Sequence, residues 1–379
     1  MDNKLLGGLS PNAFLRRYWQ KSPLLVRGAF PNFDDIVDLK KMMSLACRDD
    51  CESRLVTHRA GRWQVRHGPF ERRQLQSLPL RGWTLLVQGV EKHLPAARRL
   101  LDHFRFIPDA RLDDLMISYA PPGAGVGPHF DSYDVFLLQG RGTRRWQVSR
   151  QTDLALLDNS PLKILRRFDP AGECVLHTGD MLYLPPQVAH GGVALRSCQT
   201  YSIGFRAPSH TELVSNFLSF LEDRVSAEGR YEDPDLRSQE FPAAISAAMV
   251  SRVGKMLASL QWQRSTIVEF LGCSLTQLRP PFTLTGPARP LSETDFLRRA
   301  RAHGVLLATG SQMLHHSHRV FLNGTMTDVS GESLSSLRQL ANTRRLMARQ
   351  IPRGGQTPAL LYRWYRDGYI LIARFLTQE

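Results

Sequence analysis

Two histidines and one aspartate have the types and spacing of a metal-binding group. His129 and Asp131 lie two residues apart, and His190 follows later in the chain. On an extended segment His129 and Asp131 point to the same face, because side chains alternate along a strand. A histidine returning on a later strand would complete a set of two imidazoles and one carboxylate. Such a set leaves coordination positions open and suits non-haem Fe(II) and its oxygen chemistry.

The surrounding residues predict short strands and tight turns that would position this group. Residues 121–128 are rich in glycine and proline, so a loop should lead into His129. Three short segments are predicted to be strands that end in turns, namely residues 135–139, 143–148 and 181–184. Short antiparallel strands of this kind indicate an α+β protein built on a double-stranded β-helix, the jelly roll of the cupins. Alone, His190 could be a buried structural histidine, but the three residues together favour a metal site.

The same region resembles a known family. The resemblance is carried by residues 14–27, 117–119, 129–136, 139–146 and 201–208. It is specific from about Leu5 to Pro208. The chain is similar to the bacterial JmjC-type ribosomal oxygenases, the YcfD group of protein arginine hydroxylases. The resemblance implies an Fe(II)- and 2-oxoglutarate-dependent dioxygenase that hydroxylates an arginine side chain of a large-subunit ribosomal protein.

Two adjacent arginines are candidates to bind a carboxylate of 2-oxoglutarate. On the predicted strand Arg144 shares a face with Trp146 and Val148, whereas Arg145 faces the other way. The face with Trp146 is the apolar, inward one. Arg144 should therefore reach the barrel interior, where a guanidinium grips a carboxylate through two parallel hydrogen bonds. The resemblance implies the same position for the 2-oxoglutarate arginine.

Hydroxyl groups near the predicted metal site are candidates to orient the cofactor. Ser118, Thr200 and Ser202 lie on strands that flank the site, although each could equally be an ordinary strand residue. The resembling proteins carry an asparagine near Thr200. The resemblance therefore implies that this cofactor contact differs here.

Tyr133 and Asp134 follow the metal motif directly and are candidate substrate contacts. A carboxylate and an aromatic ring at the mouth of an iron site suit a guanidinium, through charge-assisted hydrogen bonds and stacking. Strand alternation puts Tyr133 on the ligand face and Asp134 on the other unless the strand bulges. Without a bulge, Asp134 would cap or pair locally with an arginine.

The composition predicts a cytoplasmic enzyme with more than one domain. The 379 residues are 42% hydrophobic and 22% charged, which is enough for a large core. A membrane span would need about eighteen consecutive apolar residues, and the sequence has no such run. The first residues lack the apolar core of a signal peptide. Five scattered cysteines indicate reduced thiols in a cytoplasm.

The charge of the chain raises the question of nucleic-acid binding. There are 49 Lys and Arg against 35 Asp and Glu, a net charge of +14, and such a field favours association with nucleic acid or a ribonucleoprotein. The arginines, however, occur as pairs spread along the sequence rather than in one stripe. Since the electrostatic attraction needs clustered cations, direct nucleic-acid binding stays open but is not favoured.

Beyond Pro208 the sequence changes character. Apolar residues at helical spacing over 211–227 and 243–271 predict amphipathic helices, whose long stripes favour a homodimer. From residue 292 on, helices alternate with a hairpin whose turn is Asn323–Gly324, and this order suits a winged-helix-like domain. The predicted divisions are N-terminal elements packed on the jelly roll (1–84), the JmjC/cupin core (85–208), a helical dimerisation region (209–279) and the C-terminal domain (280–379).

Other function classes remain as alternatives. A metal-dependent cupin isomerase or epimerase usually has a richer set of two closely spaced histidines and a glutamate, and Asp131 with Phe130 disfavours it. A 2-oxoglutarate oxygenase acting on another residue type, such as histidine, would use the same metal group. A non-catalytic ribosome- or nucleic-acid-binding cupin protein would need no such group. Titration with metal and 2-oxoglutarate separates the last class from the enzymes.

Overall fold

The first half of the chain forms two antiparallel β-sheets. A computed structural model describes residues 4–222, 224 and 229–373 of the protein. The strands of this half, in chain order, are β1 (Leu24–Val26), β2 (Ser53–Arg59), β3 (Arg62–His67), β4 (Trp83–Val87), β5 (Leu112–Ala120), β6 (Val135–Arg141), β7 (Arg144–Val148), β8 (Gly172–Leu176), β9 (Met181–Leu184), β10 (His190–Ala194) and β11 (Cys198–Phe205). The larger sheet has the order β1-β9-β6-β11-β5-β4-β2-β3, and the smaller one β10-β7-β8.

Strand β6 shows how the two sheets pack. Its Val135 and Leu137 lie in a core between the sheets, together with Trp146 of β7. Its Phe136 and Leu138 lie in a second core on the opposite face of the larger sheet. A strand buried on both faces is continuously apolar rather than alternating, which explains the sequence of β6. Two facing sheets around a common core confirm the predicted jelly roll of an α+β protein.

The N-terminal elements both cover and extend the larger sheet. The helices that precede β5 in the chain are α1 (Pro11–Arg17), α2 (Leu39–Ala46), α3 (Arg72–Gln76) and α4 (Pro95–Asp102). Phe14 of α1 is fully buried and contacts the rings of Phe136 and Tyr183. Strands β2, β3 and β4 continue the sheet beyond β5. The region predicted to pack on the jelly roll thus also contributes strands to it, and one core connects both.

The helical region contains α5 (His210–Glu222), α6 (Ala247–Ser259) and α7 (Arg264–Thr276). The backbone N–H of Glu212 donates to the Ser209 hydroxyl, and the Glu212 carboxylate accepts from the backbone N–H of Ser209, so these residues form the capping box that starts α5. The predicted end of this helix, residue 227, lies outside the described residues. The stretch predicted over 243–271 is two helices rather than one, because the backbone at Leu260 is extended.

The C-terminal region forms two small sheets with helices. Its elements are α8 (Glu293–His303), β12 (Val305–Leu307), β13 (Met313–His316), β14 (Arg319–Leu322), β15 (Thr325–Asp328), α9 (Gly331–Thr343), β16 (Arg345–Leu346), α10 (Thr357–Arg366) and β17 (Ile370–Ile372). The hairpin turn at Asn323–Gly324 has two positive φ angles, as predicted. Helix α7 packs on β13–β15, with Gly272 against the Phe321 ring. We therefore propose that this domain begins near residue 260 rather than at 280.

None of the described helices has the length and hydrophobicity needed to cross a membrane. The five cysteines are free thiols. Cys51 is buried beside Gln88, and burial raises the pKa of its thiol to about 12. This thiol is therefore protonated and unreactive near neutral pH.

Candidate active site

His129, Asp131 and His190 converge between the two sheets. One ligand atom from each can be chosen so that the three lie within 4.8 Å of one another. Nε2 of His190 lies 3.7 Å from Oδ2 of Asp131, and the two imidazole rings are 4.3 Å apart between centroids. Among the residues that the structure describes, no other group of histidine, cysteine or acidic side chains has this arrangement. The predicted facial triad is therefore assembled.

Backbone contacts fix the orientation of both rings. His129 and His190 form an antiparallel bridge in which each backbone N–H donates to the carbonyl of the other, at 2.9 and 2.8 Å. Nδ1 of His129 lies 3.0 Å from the Gly127 carbonyl, and Nδ1 of His190 lies 2.8 Å from that of Val188. Each Nδ1 is thus placed to donate, which leaves Nε2 as the lone-pair nitrogen that faces the centre. Histidines that bind a metal commonly donate a hydrogen bond from the other ring nitrogen in this way.

Burial also sets the protonation of the group. Desolvation, with His129 and Arg144 nearby, lowers the pKa of His190 to about 3, so this ring is neutral at physiological pH. Desolvation raises the pKa of Asp131, and His129 and the Tyr133 hydroxyl act in the opposite direction. A neutral imidazole is the form that binds a metal ion.

Arg144 points into the space between the sheets, as strand alternation predicts. The residue is 3% exposed, whereas Arg145 is half-buried on the other face and lies 3.9 Å from Glu173. No acidic side chain in the described part of the chain forms an ion pair with Arg144, and its Nε has no hydrogen-bond partner there. Burial accordingly lowers its pKa. A buried cation without a counter-charge is costly, so this arginine is poised to bind an anion.

Ser118 and Thr200 flank this guanidinium. They are directly paired on β5 and β11, and Nη1 of Arg144 lies 3.5 Å from the Ser118 hydroxyl and 3.4 Å from that of Thr200. Its Nη2 donates to the Gly192 carbonyl at 3.2 Å. The face of the guanidinium lies over Trp146, 4.7 Å from the ring centroid. Arg144, Ser118 and Thr200 thus form one polar group, here called the polar cradle, in an otherwise apolar wall.

These groups line one cavity of about 450 Å³. Arg144, Ser118 and Thr200 lie along it together with the three candidate ligands. Tyr133 also lines it and is 39% exposed, as a residue near the mouth would be. Burial and the nearby carboxylates of Asp131 and Asp114 raise the pKa of Tyr133, so its hydroxyl stays protonated. The volume is within the range of small-ligand pockets.

The prediction that Asp134 contacts substrate is wrong. Asp134 is fully buried on the outer side of the larger sheet, where it accepts hydrogen bonds from Tyr183 at 2.6 Å and from Gln20 at 3.0 Å. Arg111 lies 3.7 Å from the same carboxylate. Tyr133 and Asp134 lie in the bend just before β6, where Tyr133 and Val135 face the cavity and Asp134 faces the opposite core. This is the local arginine pairing that alternation favours.

Asp114 is a cavity residue that the sequence reasoning missed. It lies on β5 and shares a face with Met116 and Ser118, and all three line the cavity. A Cβ built on Gly204 would lie 3.4 Å from Oδ1 of Asp114 and 3.8 Å from the ring of Tyr133. Gly204 therefore leaves a slot between a carboxylate and an aromatic ring. Alternation along β5 puts Asp114 on the face of Ser118, but only the fold brings Gly204 and Tyr133 beside it.

Two buried acids determine the charge of this slot. Burial first, and then the carboxylates of Glu91 and Asp113, raise the pKa of Asp114 to about 7, against an opposing effect of Lys92. Backbone N–H groups hold both acids in place: Gly89 donates to Asp114 at 3.3 Å, and Leu115 donates to Glu91 at 2.9 Å. Asp114 therefore changes its charge near neutral pH.

Comparisons with known proteins agree with this geometry. A JmjC domain family model matches residues 99–213, and a ROXA-like winged helix model matches residues 259–370. The ribosomal protein uL16 3-hydroxylase of Escherichia coli is 37% identical over 320 residues, which cover 83% of this chain and 84% of that protein. A probable ribosomal oxygenase of Haemophilus influenzae is 39% identical over 254 residues, covering 65% and 60%.

A solved structure shows the same architecture with ligands. The structure of YcfD, a ribosomal oxygenase from Escherichia coli, in complex with cobalt and 2-oxoglutarate superimposes with a TM-score of 0.82 at 33% identity. The match covers 96% of this chain and 98% of that one. The predicted winged-helix-like domain is confirmed by the family model, and the predicted oxygenase class by the relatives. This chain belongs to the family of bacterial ribosomal oxygenases that join a JmjC domain to a ROXA-like winged helix.

Proposed function

We propose that this protein is an Fe(II)- and 2-oxoglutarate-dependent oxygenase that hydroxylates an arginine side chain of the large-subunit ribosomal protein uL16. One observation carries the proposal. A buried arginine without a counter-charge shares a cavity with two histidines and an aspartate in facial arrangement. The choice of uL16 rests on the relative that bears this substrate in its name.

The three ligands fit a divalent iron. Two imidazoles and one carboxylate on one face leave open positions for a bidentate co-substrate and dioxygen. Both Nδ1 atoms are engaged by carbonyls, and both Nε2 atoms are available. The relative solved with cobalt and 2-oxoglutarate supports a metal and this co-substrate in the same cavity.

The polar cradle fits a dicarboxylate. Arg144 would pair with the carboxylate far from the metal, while Ser118 and Thr200 would donate hydroxyl hydrogen bonds to it. This pairing replaces an uncompensated buried charge with a charge-assisted contact. The Trp146 ring under the guanidinium holds it flat and limits its rotation.

The slot between Asp114 and Tyr133 fits the side chain of the substrate. A substrate guanidinium would lie against the ring of Tyr133 and receive its counter-charge from Asp114. This assigns to Asp114 the recognition role that the sequence reasoning gave to Asp134. The neighbouring Met116 offers an apolar wall for the methylene groups of an arginine.

The protein contributes orientation and exclusion of water. When bound, iron would activate dioxygen, which supplies the oxygen atom inserted into the C–H bond, while 2-oxoglutarate would be oxidised to succinate and carbon dioxide. Val135, Leu137 and Trp146 line the wall and keep the interior apolar. Asp114 and Tyr133 hold one end of the side chain, so that a chosen carbon lies nearest the metal.

The test is a coupled assay with purified protein, Fe(II), 2-oxoglutarate and uL16. Succinate formation and one added oxygen atom on uL16 should both be seen, and both should be lost in Asp131→Ala, which removes the anionic ligand. Oxygen added to a histidine would instead support an oxygenase that acts on that residue type. A protein that does not respond to metal and 2-oxoglutarate would support the non-catalytic binding protein.

We further propose that the enzyme works in the cytoplasm as a homodimer joined through residues 211–271.

A further inference from the structure

A strongly basic surface lies on and around the β2–β3 hairpin, whose other face lines the cavity. Residues 53–82 contain seven arginines and one glutamate, so this short segment carries +6 of the net charge of +14. In sequence these arginines are scattered, and this argued against nucleic-acid binding. The fold brings six of them together on the β2–β3 hairpin, α3 and the turn before β4. We call Arg59, Arg62, Arg66, Arg72, Arg73 and Arg81 the basic ridge.

Hydrogen bonds fix the positions of these arginines relative to one another. Arg59 and Arg62 are directly opposite at the tip of the hairpin. The backbone N–H of His58 donates to the Gly82 carbonyl at 3.2 Å, which places Arg81 beside that tip. At the other end of β3, Nη2 of Arg66 donates to Gln74 at 3.0 Å, and α3 also carries Arg72 and Arg73. The ridge is thus continuous along one side of the molecule.

The charges of the ridge are not compensated within the protein. All six arginines are exposed, and none of them forms an ion pair with a described acidic residue. Like charges directly opposite each other, such as Arg59 and Arg62, destabilise a strand pair. Ordinary protein surfaces intersperse both signs. Charged residues on an edge strand can merely prevent aggregation, but Arg72, Arg73 and Arg81 lie outside the edge strand β3.

The ridge adjoins the cavity. Trp63, on the opposite face of β3, lies so close to Gly127 that a Cβ there would be 2.9 Å from its ring. The same Gly127 offers the carbonyl that orients His129. Arg54 and Val56 of the same hairpin line the cavity itself. The ridge and this part of the cavity wall are therefore opposite faces of the same hairpin.

We propose that the basic ridge binds the phosphate backbone of RNA, on the outer face of the hairpin whose other face lines the cavity. A row of uncompensated, exposed guanidinium groups is complementary in charge to a polyanion whose charges are regularly spaced. The functional meaning of RNA binding at the basic ridge rests on the proposed function.

Fluorescence anisotropy with a labelled RNA hairpin, in the absence of substrate, tests this proposal. The variant Arg59→Gln/Arg62→Gln should weaken binding roughly tenfold at moderate salt and reduce the slope of log Kd against log salt by about two. Arg298→Gln/Arg299→Gln on α8 removes the same charge from another exposed place and should bind as the unmodified protein does. Equal melting temperatures would establish that the variants are folded. Arg72→Gln/Arg73→Gln provides a second, independent change within the ridge.

Three results would overturn the proposal. The first is that no RNA binding is detected at moderate salt. The second is that the ridge variants and the α8 variant weaken RNA binding equally. The third is that polyglutamate binds as tightly as RNA. None of them affects the hydroxylase proposal, because the assay measures RNA binding alone. Conversely, RNA binding that is lost in the ridge variants stands even if uL16 is not the substrate.

Discussion

The hydroxyl of Thr200 lies 3.4 Å from Nη1 of Arg144, and no described carboxylate pairs with that guanidinium. Thr200 and Ser118 are cross-strand partners, so two hydroxyls approach the same nitrogen. Neutral hydroxyls orient an arginine but do not neutralise it. The missing negative charge must therefore come from a ligand.

Changing Arg144 to alanine should raise the KM for 2-oxoglutarate by roughly a hundredfold, because a buried charge-assisted pair is lost. Arg145→Ala is the matched control. It removes the same side chain from the solvent face of the same strand and should change KM less than about twofold. Steady-state succinate formation measures both. Equal effects of the two substitutions would contradict the assignment of the cofactor arginine.

Changing Asp114 to asparagine keeps the shape of the slot and removes its charge. The KM for a uL16 peptide should rise by roughly ten- to a hundredfold, as expected when a hydrogen bond to a charged group of about 1.5–3 kcal/mol is lost. Decay of 2-oxoglutarate without peptide should be unchanged, because the slot does not contact the cofactor cradle. An unchanged peptide KM would show that another residue recognises the guanidinium.

Peptide binding should improve as the pH rises through about 7. The pKa of Asp114 is raised to about 7 by burial and by Glu91 and Asp113, while Lys92 lowers it. Below this pH the acid is neutral, and above it the carboxylate attracts the guanidinium, which stays protonated throughout. KM for the peptide should therefore fall between pH 6 and 8 in the unmodified protein. In Asp114→Asn this part of the pH dependence should be absent.

Changing Asp134 to alanine should lower stability rather than substrate affinity. Loss of the buried carboxylate leaves the Tyr183 hydroxyl and the Gln20 amide without their acceptor, at a cost of about 1–3 kcal/mol. Urea unfolding measures this cost, and the peptide KM of the folded fraction should be unchanged. A selective rise of that KM would restore Asp134 as a substrate contact.

The helices of the 211–271 region should join two protomers. Met256 and Leu257 of α6 are 49% and 57% exposed, and α6 has no buried residue. Exposed apolar stripes of this kind mark an interface. Light scattering at micromolar concentration should give a dimer, and Leu257→Glu should give a monomer. Lys255→Glu, a charge change on the same helix, should remain dimeric. A monomeric unmodified protein would contradict the dimer.

The sequence predicted best those site features that depend on residues close to one another in the chain. The triad follows from spacing, and the inward direction of Arg144 follows from strand alternation, since both depend on neighbouring residues. Asp134 was assigned to substrate against that same alternation, and in the structure it faces the core and bonds to Tyr183. The slot at Asp114 and the basic ridge depend on which strands become neighbours. That pairing is set by long-range packing, and no local pattern contains it.

The most direct measurement of the central claim is mass spectrometry of uL16 after incubation with the enzyme, Fe(II), 2-oxoglutarate and dioxygen. The proposed function predicts one added oxygen atom on an arginine side-chain carbon. The oxygen should be absent when any one component is omitted and when the enzyme carries Asp131→Ala. Oxygen on a different residue type, unmodified uL16, or full activity of Asp131→Ala would contradict it.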